Sequence, residues 1–142
     1  MFSSAVVAEN DELCSYLVNF LESVEVDQVA SIELHTSWGK NFKGELKDVT
    51  GAKRCMHNDI PTAKDACGYI LENTSTEFAG LNFKRFLKCL SPQTRIDDGI
   101  QFSHVAVSLY YGSEERGALL ELTLEHDVQI DEMVLKLEAE GY

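Results

Sequence analysis

The sequence predicts an α+β domain: an antiparallel sheet of about four strands in two hairpins, with helices packed on one face, in the order α-β-β-α-α-β-β-α. Three observations carry this. Apolar residues recur every three or four positions near the start of the chain and again in its middle. They alternate with polar residues at 30–38, 105–111 and 120–124. The chain has 142 residues, 44% of them apolar and 25% charged, which suits one core in a single acidic domain spanning 1–142.

The first helix follows from Leu13, Leu17, Leu21 and Val24, with Val18 and Phe20 widening the stripe. Asn10 is the expected N-cap, and Asp11 and Glu12 suit the positive end of the helix dipole. A hairpin comes next. Ala30, Ile32, Leu34, Thr36 and Trp38 share one face of its first strand. Gly39-Lys40-Asn41 makes the turn, and Phe42, Gly44 and Leu46 alternate in the return strand. Residues 49–60 show no period and receive no element. Pro61 and Thr62 open a second helix, in which Thr62 and Asp65 resemble a capping box. Its stripe is Ala63, Ala66, Cys67, Ile70 and Leu71.

A third helix is expected over 77–90. Ala79, Phe83, Phe86 and Leu90 lie on one face; Asn82, Lys84, Arg85 and Lys88 lie on the other. Gly80 weakens it by about 1 kcal/mol relative to Ala, and a strand over 78–87 is the alternative. The second hairpin pairs Val105, Val107, Leu109 and Tyr111 with Leu120, Leu122 and Leu124 around the loop 112–117. Ile130, Met133, Val134 and Leu137 then suggest a closing helix that stops at Gly141. The two halves share an element order with only faint similarity in sequence, so a duplication is a speculation.

The net charge is −12, which disfavours unaided binding to nucleic acid or to an anionic membrane. It is uneven: −6 over residues 1–50, +2 over 51–90 and −8 over 91–142. Asp97, Asp98, Glu114, Glu115, Glu121, Glu125, Asp127, Asp131 and Glu132 carry the acidity of the last third. This is either a solvated surface or a docking surface for a basic partner. Trp38, Tyr110 and Tyr111 lie toward the hairpin ends, and Trp38 and Tyr111 are the aromatic residues assigned to an interface. Lys53, Arg54, Lys84, Arg85 and Lys88 form one basic patch, read as a solvated face or as partners for acids elsewhere on the domain.

Chemistry is thinly marked. Cys55 and His57 sit close together, but no C-x₂-C or H-x₃-H spacing supplies further zinc ligands from Cys67, Cys89 or His35. His104 is expected half-buried on the third strand with Ile100, Phe102 and Ala106. Phosphate-loop, dinucleotide and nucleophile-elbow motifs are missing, so no catalytic residue, metal or cofactor is assigned. The N-terminus has no basic start and only a short apolar run, unlike a signal peptide; Cys14, Cys55, Cys67 and Cys89 read as free thiols, and their even number leaves disulfides open although nothing in the spacing asks for them. A cytoplasmic location is therefore expected.

These features favour a protein-binding antagonist over an enzyme. The concrete form is an immunity protein that neutralises a basic, nuclease-type toxin through its acidic surface. One alternative is a nucleic-acid mimic that inhibits a restriction or interference complex. Another is a small-molecule-binding domain or enzyme with a pocket between helices and sheet, near His104. A homodimer through sheet edges or helices is compatible with each.

Overall fold

The computed structural model describes residues 11–38, 51–97 and 99–142. Within them lie helix α1 (Glu12–Ser23), strands β1 (Val29–Trp38) and β2 (Gly51–His57), helices α2 (Pro61–Asn73) and α3 (Ala79–Leu90), and strands β3 (Val105–Gly112), β4 (Gly117–Asp127) and β5 (Glu132–Gly141). The strands form one sheet in the order β2-β1-β5-β4-β3, with every ladder antiparallel. The α+β class stands, with five strands rather than about four.

Alternation places the core. Ala30, Ile32 and Leu34 of β1, Leu135, Leu137 and Ala139 of β5, and Leu120, Leu122 and Leu124 of β4 all point to one side. There they meet Leu13, Leu17 and Phe20 of α1, Ala63, Ala66 and Ile70 of α2, and Phe83 and Phe86 of α3. The helices thus cover one face of the sheet, as expected for an antiparallel sheet with a wet second side. Each large side chain so buried contributes about 1.5–3 kcal/mol of transfer free energy.

α1 and α3 are fastened twice. Asp11, not Asn10, is the N-cap: its Oδ1 accepts the Leu13 N–H at 3.0 Å. The same carboxylate accepts Nε of Arg85 at 3.0 Å and Nη2 at 2.9 Å. A disulfide joins Cys14 to Cys89 nearby. A second, Cys55–Cys67, ties β2 to α2. The free-thiol expectation is corrected accordingly. The pairs are 75 and 12 residues apart in sequence, and the packing of α1 on α3 and of α2 under β2 brings each together.

Other expectations also change. The segment 132–141 is a strand, not a helix. Met133, Val134 and Leu137 fit a helical spacing, but Leu135, Leu137 and Ala139 alternate with Val134, Lys136, Glu138 and Glu140. β5 is central, hydrogen-bonded to both β1 and β4, and that pairing overrides the helical propensity of its Glu, Lys and Leu. The order is therefore α-β-β-α-α-β-β-β, and the proposed αββα repeat loses its final helix. Gly141 is the last residue of the strand, and a Cβ there would collide with the backbone of Glu25.

Residues 51–57, left without an element, form β2 opposite Ile32–Trp38. The expected return strand over 42–46 lies outside the described residues. Thr62 caps nothing; its Oγ1 instead meets Ser23 Oγ at 2.6 Å. The helical reading of 77–90 holds, and Gly80 has a positive role there. A Cβ at Gly80 would stand 2.5 Å from the Phe102 carbonyl oxygen, so the glycine lets the 99–104 loop cross the helix. Phe102 then packs on Phe83 with ring centroids 4.9 Å apart. Asn82 belongs to the buried face, because its amide bonds both N–H and C=O of Ser75 and so closes the α2–α3 connection.

Candidate functional site: the open acidic face of the sheet

On the face of the sheet away from the helices most side chains of β2, β3 and β4 are exposed, while His35 and Ser37 of β1 are buried. Antiparallel register fixes which side chains occupy this face. β3 contributes Ala106, Ser108 and Tyr110; β4 contributes Leu119, Glu121, Thr123, Glu125 and Asp127. β5 contributes Glu132, Val134, Lys136, Glu138 and Glu140. β1 adds Val29, Ser31, Glu33, His35 and Ser37, and β2 adds Ala52, Arg54 and Met56. Seven carboxylates thus share a surface with one lysine, one arginine and one histidine.

The charge is balanced at one end only. His35 is 6% exposed and lies between two carboxylates, Glu33 Oε1 at 3.0 Å from Nε2 and Glu132 Oε1 at 3.2 Å from Nδ1. Each ring nitrogen thus faces a carboxylate oxygen. Arg54 Nη2 donates to the same Glu132 oxygen at 3.0 Å. Burial pushes the Glu132 carboxyl up, but the hydrogen bonds and charges of Arg54 and His35 outweigh it and hold the group below its ordinary range. Lys136 lies 4.0 Å from Glu33 and 3.6 Å from Glu138. This end is a closed network.

The other end is not neutralised. Among the described residues, no basic side chain comes within 4 Å of Glu121, Glu125 or Glu140. Glu121 faces Glu138 directly across the β4–β5 ladder, whereas Asp127 faces Glu132, which Arg54 and His35 already pair. Like charges directly opposite are destabilising. A depression opens here, lined by Val29, Ser108, Tyr110 and Leu119 together with the acids Glu121, Glu138 and Glu140. Tyr110 is 80% exposed.

The residues singled out from sequence divide accordingly. Glu121, Glu125 and Asp127 stand together on this face, although Asp127 Oδ1 also accepts the Gln129 N–H in the β4–β5 turn. Glu114 and Glu115 are exposed in the adjoining β3–β4 loop. Asp97 closes a turn, its Oδ1 accepting the Gly99 N–H, and Asp98 lies outside the described residues. Trp38 and Tyr111 belong to the helix side, not to this face. Trp38 covers Gly51 at the end of the sheet. The Tyr111 hydroxyl donates to Glu22 Oε2 at 2.9 Å; burial first, and then Glu22, pushes that phenol up to about 12. Glu33, Glu138, Glu140, Val29 and Leu119 were missed. Reading 132–140 by its period of two finds Glu138 and Glu140.

The other chemical candidates disperse. The Cys55 sulfur is bonded to Cys67, so it offers no thiolate to a metal or a substrate. His57 Nδ1 accepts the Asp59 N–H at 3.0 Å in a tight turn. His104 is corrected from a half-buried strand residue to an exposed loop residue, because β3 begins one residue later. The hollow beside Gly80, lined by Phe78, Leu81, Phe102 and Met133, does not include it. No group of three or more His, Cys, Asp or Glu among the described residues is arranged to hold a metal ion. The basic patch is partly used internally, through Arg85 on Asp11, Arg54 on Glu132, and Lys53 Nζ donating to the Thr74 carbonyl at 2.6 Å. No helix among the described residues is long and apolar enough to cross a membrane. Comparison with known proteins adds no kinship: no protein-family model, no curated protein and no solved structure matches the chain.

Proposed function

We propose that the chain is a protein-binding antagonist that docks a basic partner on the open face of its sheet, in the manner of an immunity protein that neutralises a toxin. The observation that carries this is the uncompensated row Glu121, Glu125 and Glu140 beside exposed Tyr110, Leu119 and Val29. The acids supply long-range steering and select a cationic partner, while the apolar side chains supply area to bury. A nuclease-type toxin is the model partner, since its phosphate-binding cleft is such a cationic surface. Lys136 and Arg54 interrupt the acid rows, which counts against a mimic of a regular phosphate backbone.

The cysteines bear on where this happens. The cytoplasmic expectation stood on free thiols together with an N-terminus unlike a signal peptide. Two disulfides favour an oxidising compartment instead, where such bonds persist. The partner is therefore defined by its basic surface rather than by its substrate.

Affinity capture at low and high salt tests the reading, with wild type compared against a variant carrying Lys at positions 121, 125 and 140. The reading predicts a basic protein that is retained at low salt, weakened at high salt and lost with the variant. Equal retention by the variant overturns it.

A further inference from the structure

We infer that the partner adds a strand to the free edge of β3, and that this strand alternates apolar and basic residues. The inference rests on the docking role proposed for the acidic face and says how that face is reached.

β3 ends the sheet, and among the described residues only β4 pairs with it. Its eight residues, Val105 to Gly112, include no charge and no proline. Edge strands ordinarily carry such residues to prevent pairing with another chain. The opposite edge does: β2 presents Lys53 and Arg54 and is fastened to α2 through Cys55–Cys67. β3 is therefore the edge left open to strand addition.

The two faces of β3 specify the incoming side chains. On the helix side, Val105, Val107 and Leu109 are only half-buried, whereas Leu120, Leu122 and Leu124 on β4 are buried. The core thins at β3 because α3 packs over β4 and β5. Apolar residues on an added strand continue that row. On the open side, Ala106 and Ser108 are short, and Ser108 is the direct partner of Glu121. An added strand lies about 5 Å from β3 and about 10 Å from β4. A Lys or Arg there reaches over Ser108 to Glu121, or lies against the exposed Tyr110 ring. Charge decides against a second copy as occupant, since pairing β3 with itself joins two chains of net charge −12.

Two synthetic peptides of β3 length and identical composition test this, one with valine and lysine in strict alternation and one with them in two blocks. Their affinities for the full chain at low salt are compared, and amide hydrogen exchange is followed by NMR. The alternating peptide is expected to bind about tenfold tighter, slowing exchange in β3 and leaving β2 unchanged. Equal affinities without slowing in β3 overturn strand addition but leave the acidic face as a docking surface. No binding of either peptide overturns both. Sedimentation showing a dimer whose β3 amides are already protected makes a second copy the occupant and overturns the inference as well.

Discussion

Glu121 on β4 and Glu138 on β5 are direct cross-strand partners on the face of the sheet away from the helices. Lys136 stands 3.6 Å from Glu138, and no described cation stands as near to Glu121. The sheet therefore holds a local repulsion on a surface where a neutral residue fits the same backbone. Glu121→Gln is expected to raise the thermal midpoint by about 1–3 °C at low salt. The gain should shrink at high salt, where the repulsion is screened. The same variant should weaken partner binding. A loss of stability at low salt contradicts the assignment of Glu121 as a strained, function-bearing acid.

Asp11 performs two tasks that can be separated. Asp11→Ala removes the cap of α1 and the fork-on Arg85, and is expected to cost about 1–2 kcal/mol in denaturant unfolding. Asp11→Asn keeps the cap oxygen and should cost less. The hydrogen bond from Arg85 lowers the Asp11 carboxyl most; burial opposes it, and the Leu13 N–H and the Arg85 charge add to it. A lowered carboxyl stabilises the fold fully above the unfolded carboxylate range and loses that contribution as pH falls through the folded value. The wild type should thus be more acid-sensitive than Asp11→Asn, compared by unfolding at neutral and acid pH.

The two disulfides close loops of different length, with sequence separations of 75 and 12 residues. Loop-closure entropy makes the Cys14–Cys89 bond worth roughly 4 kcal/mol and Cys55–Cys67 roughly 3 kcal/mol. Replacing each pair by alanine and measuring unfolding without reductant should reproduce that order. A larger loss from the short loop contradicts the entropic account.

Tyr111 offers a spectroscopic check on the packing of α1 against the β3–β4 hairpin. Its phenol is pushed up to about 12, so phenolate absorbance should include one late step that disappears in Tyr111→Phe. A raised phenol stabilises the fold below the unfolded tyrosine range and loses that contribution as pH rises toward 12. Tyr111→Phe should therefore flatten the alkaline loss of stability.

Much of this fold was legible because local and global preferences agree in it. The Leu13–Leu17–Leu21 stripe, the alternation of Ile32 and Leu34, and the Leu120–Leu122–Leu124 row each bury the face their period predicts. β5 was misread because Met133, Val134 and Leu137 satisfy two periods at once, and only its place between β1 and β4 decides. β2 was missed because its inward residues, Lys53, Cys55 and His57, are not a hydrophobic set. The acidity of Glu121, Glu125 and Asp127 was visible, but its concentration on one face needed the register that sets Glu138 and Glu140 beside them. The disulfides were hidden for the same reason, since helix packing rather than spacing brings the sulfurs together.

Carboxylate footprinting by mass spectrometry tests the central claim most directly, with the free chain compared against the chain bound to its captured partner. The account predicts reduced labelling at Glu121, Glu125, Glu138 and Glu140, and unchanged labelling at Glu72 and Glu77 on the helix side. Protection on the helix side, with the sheet face labelled as in the free chain, contradicts it.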